Sequence, residues 1–240
     1  MSMKSSALTF RTAIQQINGL SFIYENLPLH SPLGRKKLME LPYSTDRNAI
    51  ELELQLTSQW VDMLRDESKN EQMEKLSGNL SSFHDISHTL SNLAAGKVMD
   101  DIQLFEVKKF AILTENILNI LNVETLCATS PETVLSSFNI HSLCDVIALL
   151  DPEQNRIPYF YIYAQYSDEL AEKRVLYLQE KEVNKKEALF IEMSQLEDQI
   201  REELSVKLSP FSSILLENAQ HIATLDLSLA KAKLSLHLGL

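Results

Sequence analysis

A shortage of turn-forming residues limits what this chain can fold into. Only five glycines and seven prolines occur in 240 residues, which is less than half of the usual combined share of about 12%. Sandwiches and barrels need many tight turns, and those turns draw on glycine and proline. Leucine, a good helix former, occupies 40 positions. The composition therefore excludes an all-β fold, disfavours alternating βα units and predicts long helices.

The charge balance limits the partners of the chain. It carries 22 basic and 33 acidic side chains, for a formal net charge of -11. Such a surface repels phosphate at long range, so non-specific nucleic-acid binding by the chain as a whole is disfavoured. A local basic surface remains compatible with this charge.

The sequence favours a reducing compartment and contains no membrane span. Cys127 and Cys144 are too few for a disulfide framework, and their apolar sequence surroundings predict reduced, partly buried thiols. No run reaches the roughly 18 consecutive apolar residues of a transmembrane helix. Residues 7–27 are interrupted by polar side chains and do not resemble a signal peptide. We therefore expect a cytoplasmic protein.

The amino-terminal part of the sequence predicts helices separated by short breaks. One helix is expected over about residues 6–25 and another over 33–41, on either side of a stretch with two prolines. Residues 51–56 alternate like a strand, but the apolar residues of 50–64 form two adjacent helical stripes. Asp46 offers a cap oxygen. The wider window therefore predicts a helix rather than a strand.

Further apolar stripes predict helices through the middle of the chain. One extends over about 76–93 and closes at Gly96, a residue typical of helix C-termini. Another begins at the acidic pair 100–101, which suits the positive end of the helix dipole. Residues 130–132 read Ser-Pro-Glu, a typical helix start. Residues 157–163 are rich in aromatic side chains, which we expect to pack, with a short strand as an alternative.

The last third of the sequence is typical of paired helices. Apolar residues recur every three or four positions from Leu189 to Leu236, through Pro210. This spacing predicts one very long helix that is bent at the proline or tolerates it. We expect it to pair with a preceding helix over 166–182, with the chain reversing near 183–186.

Together these elements predict an all-α fold, a lever-like helical bundle with a long antiparallel helical hairpin formed by the carboxy-terminal third. The predicted division is a helical core bundle over residues 1–155 and long lever or clamp helices over 156–240, which pack back onto the core.

Nothing in the sequence indicates a catalytic centre. Its glycines lie at positions 19, 34, 78, 96 and 239, and they form neither a nucleotide phosphate loop nor a dinucleotide fingerprint. His84 and His88 are four residues apart, with Asp85 between them, a spacing that on one helix can hold a transition metal. A third ligand is not recognisable, so we expect these side chains to flank an apolar helix face. The sequence therefore predicts a chain that is not an enzyme and holds no metal or cofactor.

Three lysines are the candidate nucleic-acid contacts. Lys181, Lys185 and Lys186 lie near the predicted tip of the hairpin, where they could contact the backbone of DNA. Glutamates at 180, 182 and 187 are interleaved with them. The same pattern is typical of the solvated face of a coiled coil, so both interpretations stay open.

Four stretches together resemble one known family. Residues 27–39 read Leu-Pro-Leu-His-Ser-Pro-Leu-Gly-Arg-Lys-Lys-Leu-Met, with a proline and an aspartate following at 42 and 46. Residues 85–97 contain Asp-Ile, two spaced leucines and Gly-Lys, and residues 166–174 contain Ser-x-Glu-Leu-x-x-x-Arg. Residues 222–232 contain Leu-Asp-x-x-x-Ala-x-Ala. In this order and spacing, the stretches are similar to the core and lever region of MutS-type DNA mismatch repair proteins.

The resemblance implies a non-catalytic lever and clamp that couples DNA engagement to an ATPase domain. In the family, the ATPase follows the Leu-Asp-x-x-x-Ala-x-Ala stretch, and no such domain is present in these 240 residues. The implied partners are DNA, through the hairpin tip, the ATPase domain of the same protein, and a second copy in a homodimer. ATP and magnesium are expected only for that ATPase. A helical scaffold that recruits another protein through its acidic surface is the alternative.

Overall fold

The computed structural model describes residues 8–121, 138–155, 157 and 159–240. The helices of these residues, in chain order, are α1 (Phe10–Ala13), α2 (Leu20–Asn26), α3 (Pro32–Glu40), α4 (Arg47–Arg65), α5 (Asn70–Ser81), α6 (Ser87–Ala94), α7 (Asp101–Leu121), α8 (Cys144–Leu150), α9 (Asp168–Gln179), α10 (Val183–Leu208) and α11 (Ser212–Leu238). Short 3₁₀ turns lie at Glu67–Lys69, Ala164–Tyr166 and Ser209–Phe211. These residues form no strand beyond an isolated bridge between Thr9 and Pro42. The all-α prediction is confirmed.

The chain divides into two compact units, each built from separate stretches of sequence. The first unit comprises Met1–Asp85, Leu113–Ser142 and Glu217–Leu240, and the second comprises Ile86–Ile112 and Leu143–Leu216. The units therefore group residues by contacts in space, whereas the predicted division into 1–155 and 156–240 follows the order of the sequence.

The first predicted helix is two short helices. Gly19 has a φ of 94° and directly precedes α2. This left-handed conformation is accessible to glycine and interrupts helical geometry. The prediction of one helix over 6–25 is therefore wrong, although the apolar residues on both sides of the break pack into one cluster with the end of α11.

The predicted helix over 76–93 is also divided. α5 ends at Ser81, and residues 82–86 are not helical. Phe83 and Ile86, within that break, are nevertheless buried. The predicted end is confirmed, because Gly96 has a φ of 69° and its amide and that of Lys97 bond the last carbonyls of α6. This arrangement is a Schellman cap.

The helix predicted over the alternating residues 51–56 is confirmed as α4. The Asp46 side chain caps it by accepting a hydrogen bond from the amide of Asn48 at 3.0 Å. The carboxy-terminal half of α4 carries its buried side chains, Trp60, Val61 and Met63. The first turns of α4 are exposed, so the helix is amphipathic only along part of its length.

The long carboxy-terminal helix is confirmed. Helical geometry continues from Val183 to Leu238, a span of 56 residues, with a single 3₁₀ turn at Ser209–Phe211. Pro210 lies in the first positions of that turn. Proline has no amide donor, so the helix loses one backbone hydrogen bond here, and the local change to 3₁₀ geometry coincides with that position.

The predicted hairpin lies in the second unit and consists of α9 and the first part of α10. Tyr177 lies against Lys186 close to the reversal, and Arg174 pairs with Glu197 at 2.9 Å farther from it, as an antiparallel arrangement requires. The reversal occupies residues 180–182, three residues before the predicted position, and Val183 already belongs to α10.

Three further sequence predictions concern a strand, a helix start and the absence of a membrane span. The residues 159–163 that the structure describes are irregular, so the alternative of a short strand is not realised in them. The helix start predicted at 130–132 lies outside the described residues. Within the described ranges, no helix combines the length and apolar character needed to span a bilayer.

Candidate functional site

The candidate site lies in the first unit, where the stretch 27–34 meets α11. Two prolines keep this stretch extended before α3 begins, and Leu27, Leu29 and Leu33 are buried. Ser31 caps α3, because its hydroxyl oxygen accepts a hydrogen bond from the amide of Gly34 at 3.0 Å. This cap holds the first turn of α3 and the preceding stretch in one fixed geometry.

Asp226 is the acceptor at the centre of the site. It lies on α11, its side chain is fully buried, and it accepts three hydrogen bonds from the stretch 27–34. Oδ1 accepts from the amide of His30 at 3.0 Å, whereas Oδ2 accepts from the amide of Ser31 at 2.8 Å and from its hydroxyl at 2.6 Å. Donors that converge on a carboxylate in this way offset the cost of burying it. The Asp226 side chain therefore joins the beginning of the chain to its last helix.

Gly34 is required by the same contact. A Cβ atom built on Gly34 would lie 2.3 Å from Oδ2 of Asp226 and 2.9 Å from its Cγ. Real Cβ atoms do not approach heavy atoms this closely, so any other residue would displace the carboxylate. Glycine stands at this position because of the close approach of α3 to α11.

A second layer of polar side chains surrounds the Asp226 contact. The Lys233 ammonium lies 2.9 Å from Nε2 of His30 and donates a hydrogen bond to Ser77 Oγ at 2.7 Å. Burial lowers the pKa of His30, and the nearby charge of Lys233 lowers it further. Burial also lowers the pKa of Lys233. These half-buried groups connect stretch 27–34, α5 and α11.

A third resembling stretch reaches the same region. Lys36 on α3 pairs with Asp85 at 3.8 Å, and both side chains are 43% exposed. Exposed pairs of this kind contribute at most about 1 kcal/mol. The pair nevertheless places Asp85, the first residue of the Asp-Ile stretch and the last residue of its segment of the first unit, beside the Gly-Arg stretch.

The fourth resembling stretch lies in the second unit, where its polar residues have defined contacts. Ser167 caps α9 by accepting a hydrogen bond from the amide of Leu170 at 3.2 Å, and Leu170 is fully buried. Arg174 donates to the carbonyl of Ile162 at 2.7 Å and to Glu197 at 2.9 Å. This arginine therefore ties α9 to the preceding loop and to α10.

A buried charged cluster in the second unit was not predicted from the sequence. Lys108 on α7 lies 3.1 Å from Oδ1 of Asp151, and both side chains are almost fully buried. The Tyr163 hydroxyl donates to the same oxygen at 2.6 Å, and burial together with this bond raises the pKa of Tyr163. The cluster packs α7 against the irregular stretch before α9, as expected for a structural ion pair.

The three candidate lysines lie together at the tip of the hairpin. Lys181 is exposed in the reversal, Lys185 pairs with Glu182 at 2.7 Å, and the Lys186 ammonium lies 4.7 Å from the ring centroid of Tyr177. Their interaction with DNA stays a prediction. Three glutamates alternate with the lysines, so the tip has no excess of positive charge in sequence.

The outer part of the hairpin exposes apolar side chains. From Val183 to residue 199, α10 has no buried residue. Leu178 on α9 is 80% exposed, Val183 is 76% exposed and Phe190 is 57% exposed. These side chains are exposed because two paired helices cannot cover one another on all sides.

The histidines do not form the arrangement considered from the sequence. His84 lies in the break between α5 and α6, whereas His88 lies on α6, and both are exposed. The premise that both stand on one helix is therefore wrong. In the part of the chain that the structure describes, no group of three or more His, Cys, Asp or Glu side chains could hold a metal ion.

The two cysteines were expected to be partly buried. Cys144, the first residue of α8, is exposed, so the expectation of a partly buried side chain is wrong for this residue. Apolar neighbours in sequence do not bury it, because the first turn of α8 faces solvent at this position. Cys127 lies outside the described residues.

One sequence signal could have revealed the site. Asp226 is the single charged residue between positions 222 and 230 of α11, where Leu225, Leu227 and Leu229 are buried. A lone carboxylate among buried leucines indicates a buried acceptor with dedicated donors. The identity of those donors could not be predicted, because Ser31 lies 195 residues away.

No protein-family model matches the chain, and no curated protein matches it either.

Proposed function

We propose that this chain is a non-catalytic lever and clamp of the MutS-like type. It would couple DNA engagement at the hairpin tip to an ATPase domain outside these 240 residues. ATP and magnesium would belong to that domain, and the dimer implied by the resemblance would form in the assembled protein.

The observation that carries this proposal is the Asp226 contact. Similarity between leucine-rich helices explains matches at leucine positions, since such helices share one apolar pattern. It does not explain matches at a serine, a glycine and an aspartate. Ser31, Gly34 and Asp226 belong to two of the resembling stretches, and they are in direct contact. The positions that carry the resemblance therefore have a joint structural role.

The hairpin supports a mechanical role within the second unit. α10 has 26 residues, which at a rise of about 1.5 Å per residue gives a length of about 39 Å. The pairs that Lys173 and Arg174 form with α10 hold α9 beside it. At the other end, Ser205 accepts a hydrogen bond from the amide of Met99 at 2.8 Å. A displacement at the tip would be carried along paired helices to the packed base.

A DNA titration tests the proposal. The chain is titrated into fluorescently labelled linear duplex and four-way-junction DNA at about 50 mM and about 200 mM salt. The test variant carries Lys181→Glu and Lys185→Glu and spares Lys186, which packs on Tyr177. For the wild type, the DNA affinity falls as the salt concentration rises over this range. Because the variant loses two phosphate contacts, we expect the factor by which its affinity falls to be roughly tenfold smaller.

The matched control carries Lys75→Glu and Lys207→Glu. These lysines are 60% and 59% exposed and each pairs with a glutamate on its own helix, and the 65% exposed Lys185 pairs in the same way with Glu182, which directly precedes α10. The control changes the net charge equally, and neither of its lysines belongs to the residues of the tip. Weaker binding and a shallower salt slope in the tip variant alone support the proposal. Equal effects of both variants, or no binding to either DNA, contradict it.

The acidic scaffold is the second candidate, and the exposed apolar residues of the outer hairpin favour it. A protein partner would cover Leu178, Val183 and Phe190, whereas phosphate contacts leave such residues in water. The same titration separates the two functions. An unchanged DNA affinity of the tip variant favours the scaffold.

A further inference from the structure

His30 and Lys233 form an unusual contact between two groups that are both ordinarily basic. The Lys233 ammonium lies 2.9 Å from Nε2 of His30, and both side chains are half-buried. An ammonium group has only donors, so Nε2 must be an unprotonated acceptor. The remaining proton then lies on Nδ1, which faces Ser81 Oγ at 3.4 Å. The geometry therefore requires a neutral imidazole.

The surroundings of His30 contain few charges that could stabilise an imidazolium. From α11, Lys233 and Asp226 face it, and from α5 the hydroxyl groups of Ser77 and Ser81 complete the second layer. The Asp226 carboxylate already accepts three hydrogen bonds from stretch 27–34. A protonated His30 would therefore lie beside the Lys233 ammonium without a carboxylate of its own.

We propose that the His30–Lys233 contact is a proton-sensitive clasp. It holds stretch 27–34 against α11 while the imidazole is neutral, and it opens when the imidazole takes up a proton. Opening separates two cations, and it pulls on the backbone amides of His30 and Ser31, which bond Asp226. The clasp thus makes the join between the beginning of the chain and its last helix sensitive to pH.

The direction of the pH dependence follows from linkage. Burial and the charge of Lys233 lower the pKa of His30 below its ordinary value of 6.5. Above pH 6.5 the group is neutral in both folded and unfolded chains, and the clasp contributes fully. As pH falls through 6.5, the unfolded chain takes up the proton first, so stability is lost progressively down to the folded pKa.

The test compares the wild type with His30→Gln. Glutamine offers an oxygen to Lys233 and does not titrate near neutral pH. Urea unfolding is measured at about pH 7.5 and about pH 5.5, one unit on either side of the ordinary histidine value. We expect acidification to reduce the folded-to-unfolded ratio of the wild type by up to about tenfold more than that of the variant. His84→Gln, a change at an exposed histidine, should behave like the wild type.

A local measurement distinguishes the clasp from general acid sensitivity. Hydrogen exchange gives the protection factor of the Ser31 amide, which should fall on acidification in the wild type and stay constant in His30→Gln. NMR titration of the imidazole should give a pKa below 6.5, and Lys233→Met should raise it. Lys233→Met also tests the proposal on its own if His30→Gln does not fold. A wild-type pKa at or above 6.5, or a Ser31 protection factor independent of pH, would overturn the proposal.

Discussion

Replacing Gly34 by alanine should destabilise this protein, although the same change in most helices is stabilising. The new Cβ atom would lie 2.3 Å from Oδ2, 2.9 Å from Cγ and 3.1 Å from Cβ of Asp226. Asp226 is fully buried on the long helix α11, and three hydrogen bonds from stretch 27–34 hold its carboxylate in place. The substitution must therefore displace the carboxylate or separate α3 from α11.

The expected magnitude combines three contributions. Overpacking of a buried site costs about 1–3 kcal/mol. Displacing Asp226 by a few tenths of an ångström weakens its hydrogen bonds to His30 and Ser31, and one lost bond to a charged group costs about 1.5–3 kcal/mol. Against this, alanine in a helix is about 0.5–1 kcal/mol better than glycine. We expect the free energy of unfolding to fall by about 2–4 kcal/mol.

Urea unfolding followed by circular dichroism measures this change, with Gly78→Ala as the matched control. Gly78 lies on α5 of the same unit, and a Cβ atom built on it has no heavy atom within 4 Å. The control should therefore be stabilised by about 0.5–1 kcal/mol. The two glycine-to-alanine changes are expected to have opposite signs.

The same pair of variants can refute the reasoning. If Gly34→Ala is as stable as the wild type, α3 does not approach Asp226 as the structure shows. A further check places Gly34→Ala in an Asp226→Ala background, where the atoms closest to the new Cβ are absent. The cost of the glycine substitution should shrink there, because only the contact at 3.1 Å remains.

The hydrogen bonds of Asp226 and the buried cluster of Lys108, Asp151 and Tyr163 yield further predictions that unfolding experiments can check. Asp226→Asn keeps the shape of the side chain but presents an amide donor to the donors of stretch 27–34, so we expect a loss of about 1–3 kcal/mol; no loss would mean that the carboxylate does not accept all three bonds. Lys108→Met leaves the Asp151 carboxylate buried without its cation, so a loss of about 3–5 kcal/mol is expected. Tyr163→Phe removes one donor to the same carboxylate and should cost about 1.5–3 kcal/mol. Equal stability of either of these two variants and the wild type would contradict the buried cluster.

Apolar periodicity predicted the buried side chains of the middle of the chain, whereas Leu52 and Leu54 of the α4 stripes are 66% and 63% exposed. The stripe through residues 76–93 continues across the non-helical residues 82–86, because Phe83 and Ile86 reach the core from irregular backbone. The long helix through Pro210 was predictable, since its apolar stripe continues on both sides of the proline and a single 3₁₀ turn accommodates it. Apolar periodicity indicates which side chains can be buried. Tertiary contacts then decide whether the backbone at those residues is helical.

The candidate site shows the complementary limit of sequence reasoning. The cap of Ser31 and the helix start at Pro32 follow from local rules, because each depends on neighbours within a few residues. The role of Gly34 does not, since the atom that excludes a side chain belongs to Asp226 on α11. The same holds for Lys108, whose partner Asp151 lies 43 residues away. Contacts between segments that are distant in sequence can be identified only from the folded structure.

A double-mutant cycle between Ser31→Ala and Asp226→Ala tests most directly whether the contact between these two residues holds stretch 27–34 against α11. Each variant removes one side of a pair joined by a hydroxyl–carboxylate hydrogen bond of 2.6 Å. The contact predicts a coupling free energy of about 1–3 kcal/mol from urea unfolding of the wild type, both single variants and the double variant. Additive effects, with a coupling below about 0.5 kcal/mol, would contradict it.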